Sequence, residues 1–325
     1  MARPTGPHLP TAAVPLFASS GNMLADRRYD YATAATQDGD DGAAADLLEQ
    51  ALELAPAWAA AWFALGEARQ RSGLLQTAAA AYTQALACQP ADPHGAALRL
   101  TLLTGAKTPV MSAAYVRGLF DQYAPRFDAH LTGALAYRGP QVLVTALRAA
   151  CAGLDRPFDF ETALDLGCGT GLMARALTPH FHALYGVDLS PGMLAQAART
   201  GLYENLHAGD MLEWLENRPA KSAGLVLAAD VVVYTGDLAP LFASVARVMD
   251  RRNGGLFAFT AQSHAGTGVA LQTDMRFAHA PDYLHAVAEA AGLRMLSLEA
   301  TSTRRDAGRD VPGLACVLGL ADAPA

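Results

Sequence analysis

Between residues 161 and 260, short apolar runs take turns with amphipathic stretches, and few folds accommodate that order. ETALDLG reads as a strand and LMARALTPH as a helix; ALYGVD and PGMLAQAAR repeat the pair. YENLHAGD ends a third strand before the helix MLEWLENR. AGLVLAAD is a fourth strand, followed by the long amphipathic GDLAPLFASVARVMD, and GGLFAFTA is a fifth. Strands alternating with helices of about ten residues predict an α/β fold with a doubly wound, mostly parallel sheet. Ligands of such sheets sit beyond the carboxyl ends of the strands, where the strand order reverses.

The segment ALDLGCGTGLMARAL lies at that edge, between the first strand and the first helix. Gly167, Gly169 and Gly171 lack Cβ atoms, so the chain can turn sharply there and come close to a ligand. A nicotinamide dinucleotide fingerprint needs a small residue where this chain has Leu172, which disfavours a pyrophosphate on the helix and suits a ligand without phosphates. The formal net charge of −7 argues against a nucleic-acid surface built on phosphate neutralisation. Cys88, Cys151, Cys168 and Cys316 show no paired or metal-ligand spacing, and no apolar run is long enough to span a bilayer. A soluble cytoplasmic protein without a membrane or nucleic-acid partner is the expectation. Residues 1–24, rich in proline, read as a flexible tail and not a signal peptide.

Upstream, a shift of 34 residues superimposes Gly73 on Gly39, Ala78 on Ala44, Tyr82 on Leu48, Ala85 on Ala51 and Pro90 on Pro56. Small residues, a bulky apolar residue and a terminal proline in register resemble tetratricopeptide repeats. Trp62, Leu65 and Gly66 fit the first helix of the second copy, where a large side chain faces a small one. Residues 25–105 are therefore expected to form an all-α repeat domain, and the Gly105 to Pro109 turn cluster its boundary. Residues 106–325 would form the catalytic domain with its own N-terminal cap helices. Such repeats offer a groove to a protein partner; a cap on the catalytic domain or a homodimer contact is the plainer alternative.

DLGCGTG resembles the first motif of class I S-adenosylmethionine-dependent methyltransferases, and the likeness continues in order through residues 163–260. More closely, YVRGLFDQYAPRFDAHL, ADVVVYTGDL and MRFAHAPDYLHAVAEAAG resemble bacterial methyltransferases with N-terminal tetratricopeptide repeats. The resemblance implies S-adenosylmethionine as cofactor. It places Asp188 on both ribose hydroxyls with Leu189 beside it, Asp210 near the adenine amino group with Met211 flanking the ring, and Asp165 and Gly167 at the methionine end. Gly169 and Gly171 complete the turn, Asp230 stands beside the reactive methyl, and Tyr123 closes over the cofactor.

Each assignment has a plainer competitor. Asp188 and Asp210 can also cap the helices that follow them. Asp165 sits in an otherwise apolar strand and must be answered by a cation or a backbone amide. Tyr123 and Phe127 can pack as core. The stretch from Ala261 to Pro281 reads as an irregular substrate loop, with Arg276, His279 and Tyr283 as acceptor contacts. His180 and His182 look like surface residues, with no metal implied. If the acceptor needs a base, Asp230, Tyr234, His264 and His279 are the local choices, with Asp230 and His279 the catalytic candidates. The expected function is methyl transfer to an unidentified small molecule or protein. The alternative is a non-catalytic adaptor with a vestigial methyltransferase domain.

Overall fold

The computed structural model describes residues 19–105, 111–124, 137–306 and 308–321. Two compact units divide inside a helix, between Gly118 and Leu119; residues 106–110 of the expected boundary turn lie outside the described residues.

The first unit is helical throughout: α1 (Met23–Gln37), α2 (Asp41–Leu54), α3 (Ala59–Arg71), α4 (Leu75–Cys88), α5 (Ala96–Thr104) and the start of α6 (Ala113–Tyr123). It begins earlier than the repeat register suggests, because Asn22 caps α1 and Ser19 and Ser20 bind Asp26. Turn glycines Gly39 and Gly73, at φ of +81° and +79°, end the first helix of each hairpin at equivalent positions. Alanine gives the close approach: Ala44, Ala51, Ala78 and Ala85 are buried. Gly66 is the small partner of the Tyr82 ring, a fully buried knob whose hydroxyl donates to Gln70 Oε1 at 2.8 Å. Arg69–Glu49 (2.7 Å) and Arg99–Glu67 (2.9 Å) link successive hairpins through half-exposed pairs.

The second unit opens, after the rest of α6, with α7 (Gly139–Gly153) and β1 (Phe160–Leu166). It then alternates α8 (Leu172–Leu177), β2 (Phe181–Asp188), α9 (Pro191–Ala198), β3 (Asn205–Ala208), α10 (Met211–Glu216), β4 (Leu225–Ala228) and α11 (Ala239–Val248). β5 (Leu256–Gln262), the pair β6 (Val269–Leu271) and β7 (Phe277–His279), α12 (Pro281–Ala290), β8 (Leu293–Thr301), the short pair β9 (Arg305–Asp306) and β10 (Arg309–Asp310), and β11 (Gly313–Leu320) complete it. The main strands lie in the order β3-β2-β1-β4-β5-β11-β8, parallel from β3 to β5, with β11 antiparallel to both neighbours.

Period-two alternation sorts side chains between the faces. Leu164, Val226, Phe257 and Cys316 pack with α10, α11 and α12; Ala163, Leu225, Ala258 and Val317 pack with α7 and α8. The order reverses between β1 and β4, which opens the crevice at their carboxyl ends. The loop read as irregular after β5 instead carries the β6–β7 hairpin, with β7 joined to β5 through the pairing of Gln262 with Ala278. No described helix is long and apolar enough to cross a membrane.

The helical unit has a direct test. An alanine Cβ at position 66 would lie 2.5 Å from Tyr82 Cε1, whereas at exposed position 42 its nearest neighbour is 3.6 Å away. Gly66→Ala should lower stability by about 1–2 kcal/mol, overpacking outweighing helix propensity. Gly42→Ala should raise it by up to about 1 kcal/mol. Urea titration of both variants reads the opposite signs.

Candidate functional site

β1 ends by delivering Asp165 and the glycine turn to the crevice. Asp165 lies on the α7–α8 side and is 1% exposed. Among the described residues it is the Tyr203 hydroxyl that answers this buried carboxyl, donating to Oδ2 at 2.7 Å. Burial pushes the Asp165 pKa up to about 7; the Tyr203 bond opposes the rise and the nearby Asp188 charge adds to it.

The three glycines are required for different reasons. All have left-handed φ: +59° at Gly167, +53° at Gly169 and +85° at Gly171. A Cβ on Gly167 would strike Val231 Cγ2 at 2.5 Å, and one on Gly171 would meet Thr200 Cγ2 at 3.1 Å. A Cβ on Gly169 would meet nothing within 4 Å. Gly169 thus turns an open side outward, while Gly167 and Gly171 face Val231 and Thr200.

Asp188, at the end of β2, ties this turn in place. Its Oδ2 accepts the Gly169 N–H and its Oδ1 the Ser190 N–H, both at 2.9 Å. Burial raises its pKa against these amide bonds. It is not the helix cap: Ser190 is, its hydroxyl oxygen accepting from Met193 N at 3.1 Å. Leu189 follows, half-buried. Asp121 of α6, unremarked in the sequence, accepts the Ser190 hydroxyl at 2.5 Å and the Gly192 N–H at 3.3 Å, and so anchors α6 to the same loop. The side chain of Tyr123, the last residue of α6, and all of Phe127 lie outside the described residues. Asp210 does cap its helix: Oδ1 accepts from Leu212 N at 2.8 Å and Glu213 N at 3.2 Å. Met211 packs half-buried against the sheet core.

Beyond β4 the backbone bends through Asp230 at φ +56°, a conformation that costs an aspartate of order 1 kcal/mol or more. Its N–H donates to Thr260 Oγ1, which donates back to Oδ1, both at 2.8 Å. Thr303 Oγ1 lies 3.0 and 3.1 Å from the two carboxylate oxygens, and Arg304 stands 3.9 Å from Oδ2. Both oxygens of Asp230, the acidic catalytic candidate, are thus engaged by protein groups that fix the β4 exit. Arg304, 5% exposed, donates to Gln262 Oε1 at 2.8 Å and pairs with Asp274 at 3.3 Å. Tyr137 lies in the fields of both Asp230 and Asp165, and burial with these two carboxylates raises its hydroxyl pKa.

The histidines are structural. His279 is fully buried in β7, with Nε2 3.0 Å from the Thr235 carbonyl and 3.3 Å from that of Gly236. Nε2 must carry the proton, and buried Nδ1 has no partner among the described residues. His279, the other catalytic candidate, is thus placed inside the sheet with its ring bonded to backbone carbonyls. His264 accepts from Gly266 N at 3.1 Å and lies 3.2 Å from the Gly268 carbonyl, both nitrogens serving the β5–β6 turn. The Tyr283 hydroxyl accepts from Leu238 N at 2.8 Å. His180 accepts from Arg148 and His182 pairs with Asp159, each on the surface side of β2.

Tyr203, Thr260, Thr303 and Arg304 escaped sequence reading because each meets its carboxylate only through the fold, from tens of residues away. Burial drives the His279 pKa from 6.5 down to about 4, against the two carbonyls. The neutral ring contributes stability fully present above the unfolded value and lost as pH falls through the folded one. His279→Gln should therefore remove about 3 kcal/mol of the acid sensitivity between pH 7 and pH 4. Denaturant titrations of both proteins across that range measure the difference.

Residues 164–259 match the family of methyltransferase domains. Methyltransferase-like protein 27 of Homo sapiens is 44% identical over 88 residues, 27% of this chain and 34% of that protein. Trans-aconitate 2-methyltransferase of Pseudomonas aeruginosa is 37% identical over 79 residues, 24% of this chain and 28% of that protein. The chain thus spans about a third or less of the length of these curated relatives. The 1,6-didemethyltoxoflavin-N1-methyltransferase of Burkholderia thailandensis, solved with 1,6-didemethyltoxoflavin and S-adenosylhomocysteine bound, has a similar fold. The TM-score is 0.50 at 16% identity, covering 67% of this chain and 94% of that one. Residues 164–259 thus match a methyltransferase-domain family, and the strand order gives them the Rossmann-like fold of that solved methyltransferase.

Proposed function

We propose that this chain transfers methyl groups from S-adenosylmethionine, with Asp188 and the glycine turn as the centre of its cofactor pocket. One observation carries the reading: a carboxylate at the end of β2, fixed by two amides, stands beside a glycine whose outward side is open. Each oxygen of Asp188 accepts one amide and keeps a lone pair for one hydroxyl of a vicinal diol. Asp165 offers a buried carboxyl to an ammonium group, which would take over from the Tyr203 hydroxyl. Asp210 caps through Oδ1 and retains Oδ2 for an amino group, with Met211 and Leu189 beside it. The donor set fits an aminoacyl nucleoside.

When bound, S-adenosylmethionine supplies a sulfonium methyl already activated for attack. The chain's own part is placement, and holding two reactants in near-attack geometry is worth up to about 7–11 kcal/mol. Asp230, braced by Thr260 and Thr303, sets the course of the β4 exit on which that placement rests. Asp121 fastens α6 at the Asp188 loop, the position from which Tyr123 would close the pocket.

The helical hairpins we read as tetratricopeptide-like repeats that engage a protein partner. Support comes from the repeated turn glycines and from Gly66 seated on Tyr82. The unpaired state of all four cysteines suits a reducing, cytoplasmic setting.

Asp188→Asn, which keeps the shape and removes the charge, should weaken S-adenosylmethionine binding by roughly 2–3 kcal/mol, about 30- to 150-fold. Titration calorimetry on wild type and variant, with circular dichroism to verify the fold, decides it. Equal affinities would remove Asp188 from the pocket.

A further inference from the structure

Arg276, the residue before β7, faces the β4 exit from the opposite side of the crevice. Its guanidinium lies 5.8 Å from the centre of the Tyr234 ring, and Phe120 of α6 packs edge-on against the same ring at 5.4 Å. Unlike Arg304, it has no carboxylate of a described residue within ion-pair distance. Asp230 is committed to Thr260, Thr303 and Arg304; Asp274 spends one oxygen on Arg304 and the other on the Arg276 backbone N–H. Burial works against the Arg276 charge, but Tyr234, Asp274 and Asp230 together hold it on. A permanent cation with a planar fork of donors thus stands beside the β4 exit, hydrogen-bonded to the Tyr234 side chain but with no carboxylate of a described residue paired to it.

Among the described residues of the same region, each candidate base is already engaged, and the Tyr234 hydroxyl is bonded to the Arg276 side chain. Asp230 is bonded on both oxygens, His264 serves its own turn and His279 is sealed in the sheet. An alcohol or carbon acid would need such a base, and an amine arrives at neutral pH as an ammonium ion facing a guanidinium. A carboxylic acid is already ionised there, needs no base and complements Arg276.

We propose that the acceptor is a carboxylic acid, held through its carboxylate by Arg276 and methylated on oxygen to give an ester. The proposal rests on the methyltransferase reading above. A carboxylate oxygen lone pair forms the new O–C bond as the C–S bond breaks. The electron pair of that bond stays on sulfur, leaving a neutral thioether and a neutral ester, and no proton moves. Carboxylate and sulfonium cancel one another's charge as they meet, while Arg276 offsets the loss of water around the anion.

The full-length protein, given methyl-labelled S-adenosylmethionine, is offered short aliphatic, dicarboxylic and aromatic acids beside their amides, alcohols and amines. Metabolite and protein fractions of a cell extract form two further arms, to separate a small acid from a protein carboxyl group. The expected product is labile to mild alkali and releases labelled methanol, with acids accepted and their amides and amines refused. Arg276→Gln should lower kcat/KM for the acid about 10- to 100-fold, and Arg276→Lys should recover part of it, because charge without the fork is the weaker partner. Calorimetric affinity for S-adenosylmethionine should stay unchanged in both variants. Alkali-stable label in every arm, or full activity of Arg276→Gln on the acids, overturns the proposal while cofactor binding upholds the parent reading. No cofactor binding, or no label anywhere, removes that reading and this proposal together.

Discussion

A single carboxylate clasps the glycine turn after β1 to the loop after β2, beside the backbone bond from the Cys168 N–H to the Val187 carbonyl at 3.0 Å. Asp188 receives one N–H from the glycine turn after β1 and one from the loop after β2. Amide bonds to a carboxylate are charge-assisted, and in a largely buried setting water does not compete for them. They hold Gly169 in its left-handed conformation with its bare side turned outward. The residues proposed to meet the adenosyl group are arranged around that clasp, and α6 is moored to the same loop by Asp121. Weakening the clasp would alter the shape of the pocket as well as one contact within it.

The β4 end of the crevice follows a different rule. Asp230, Asp274, Thr260, Thr303, Gln262 and Arg304 form one buried polar network in which nearly every group answers another. Such a network is costly to leave half-made, so its members act as a unit. It engages both oxygens of Asp230, and it leaves Arg276 bonded to Tyr234 with no carboxylate of a described residue paired to it. Reactivity at this end therefore depends on what the acceptor brings with it.

Much of this was legible in the amino-acid order, and what was not has a physical cause. The parallel strands announce themselves by apolar runs such as LVLA of β4, buried on both faces, and the turn by its glycines. Asp188 is legible as the acidic end of an apolar strand run, YGVD, although the glycine it binds lies 19 residues away. Tyr203 is not, being 38 residues from the carboxyl it satisfies, and Thr303 lies 73 residues from Asp230. The β6–β7 hairpin was missed because its strands are three residues each, too short for any alternation to register. His279 follows from that miss: in a loop it would face solvent, but in a strand joined to β5 it is interior. Asp210 shows the converse, a helix cap whose local signal was correct whatever else its second oxygen does.

The bond between Tyr203 and Asp165 has a thermodynamic consequence. With its pKa pushed up to about 7, the Asp165 carboxyl is only partly ionised near neutral pH. An ammonium group docking there favours the ionised form, so complex formation expels a fraction of a proton into the medium. The observed heat of association then includes the ionisation enthalpy of whichever buffer absorbs it. Apparent enthalpies in Tris and in phosphate should differ by that fraction, even though the molecular contacts are the same.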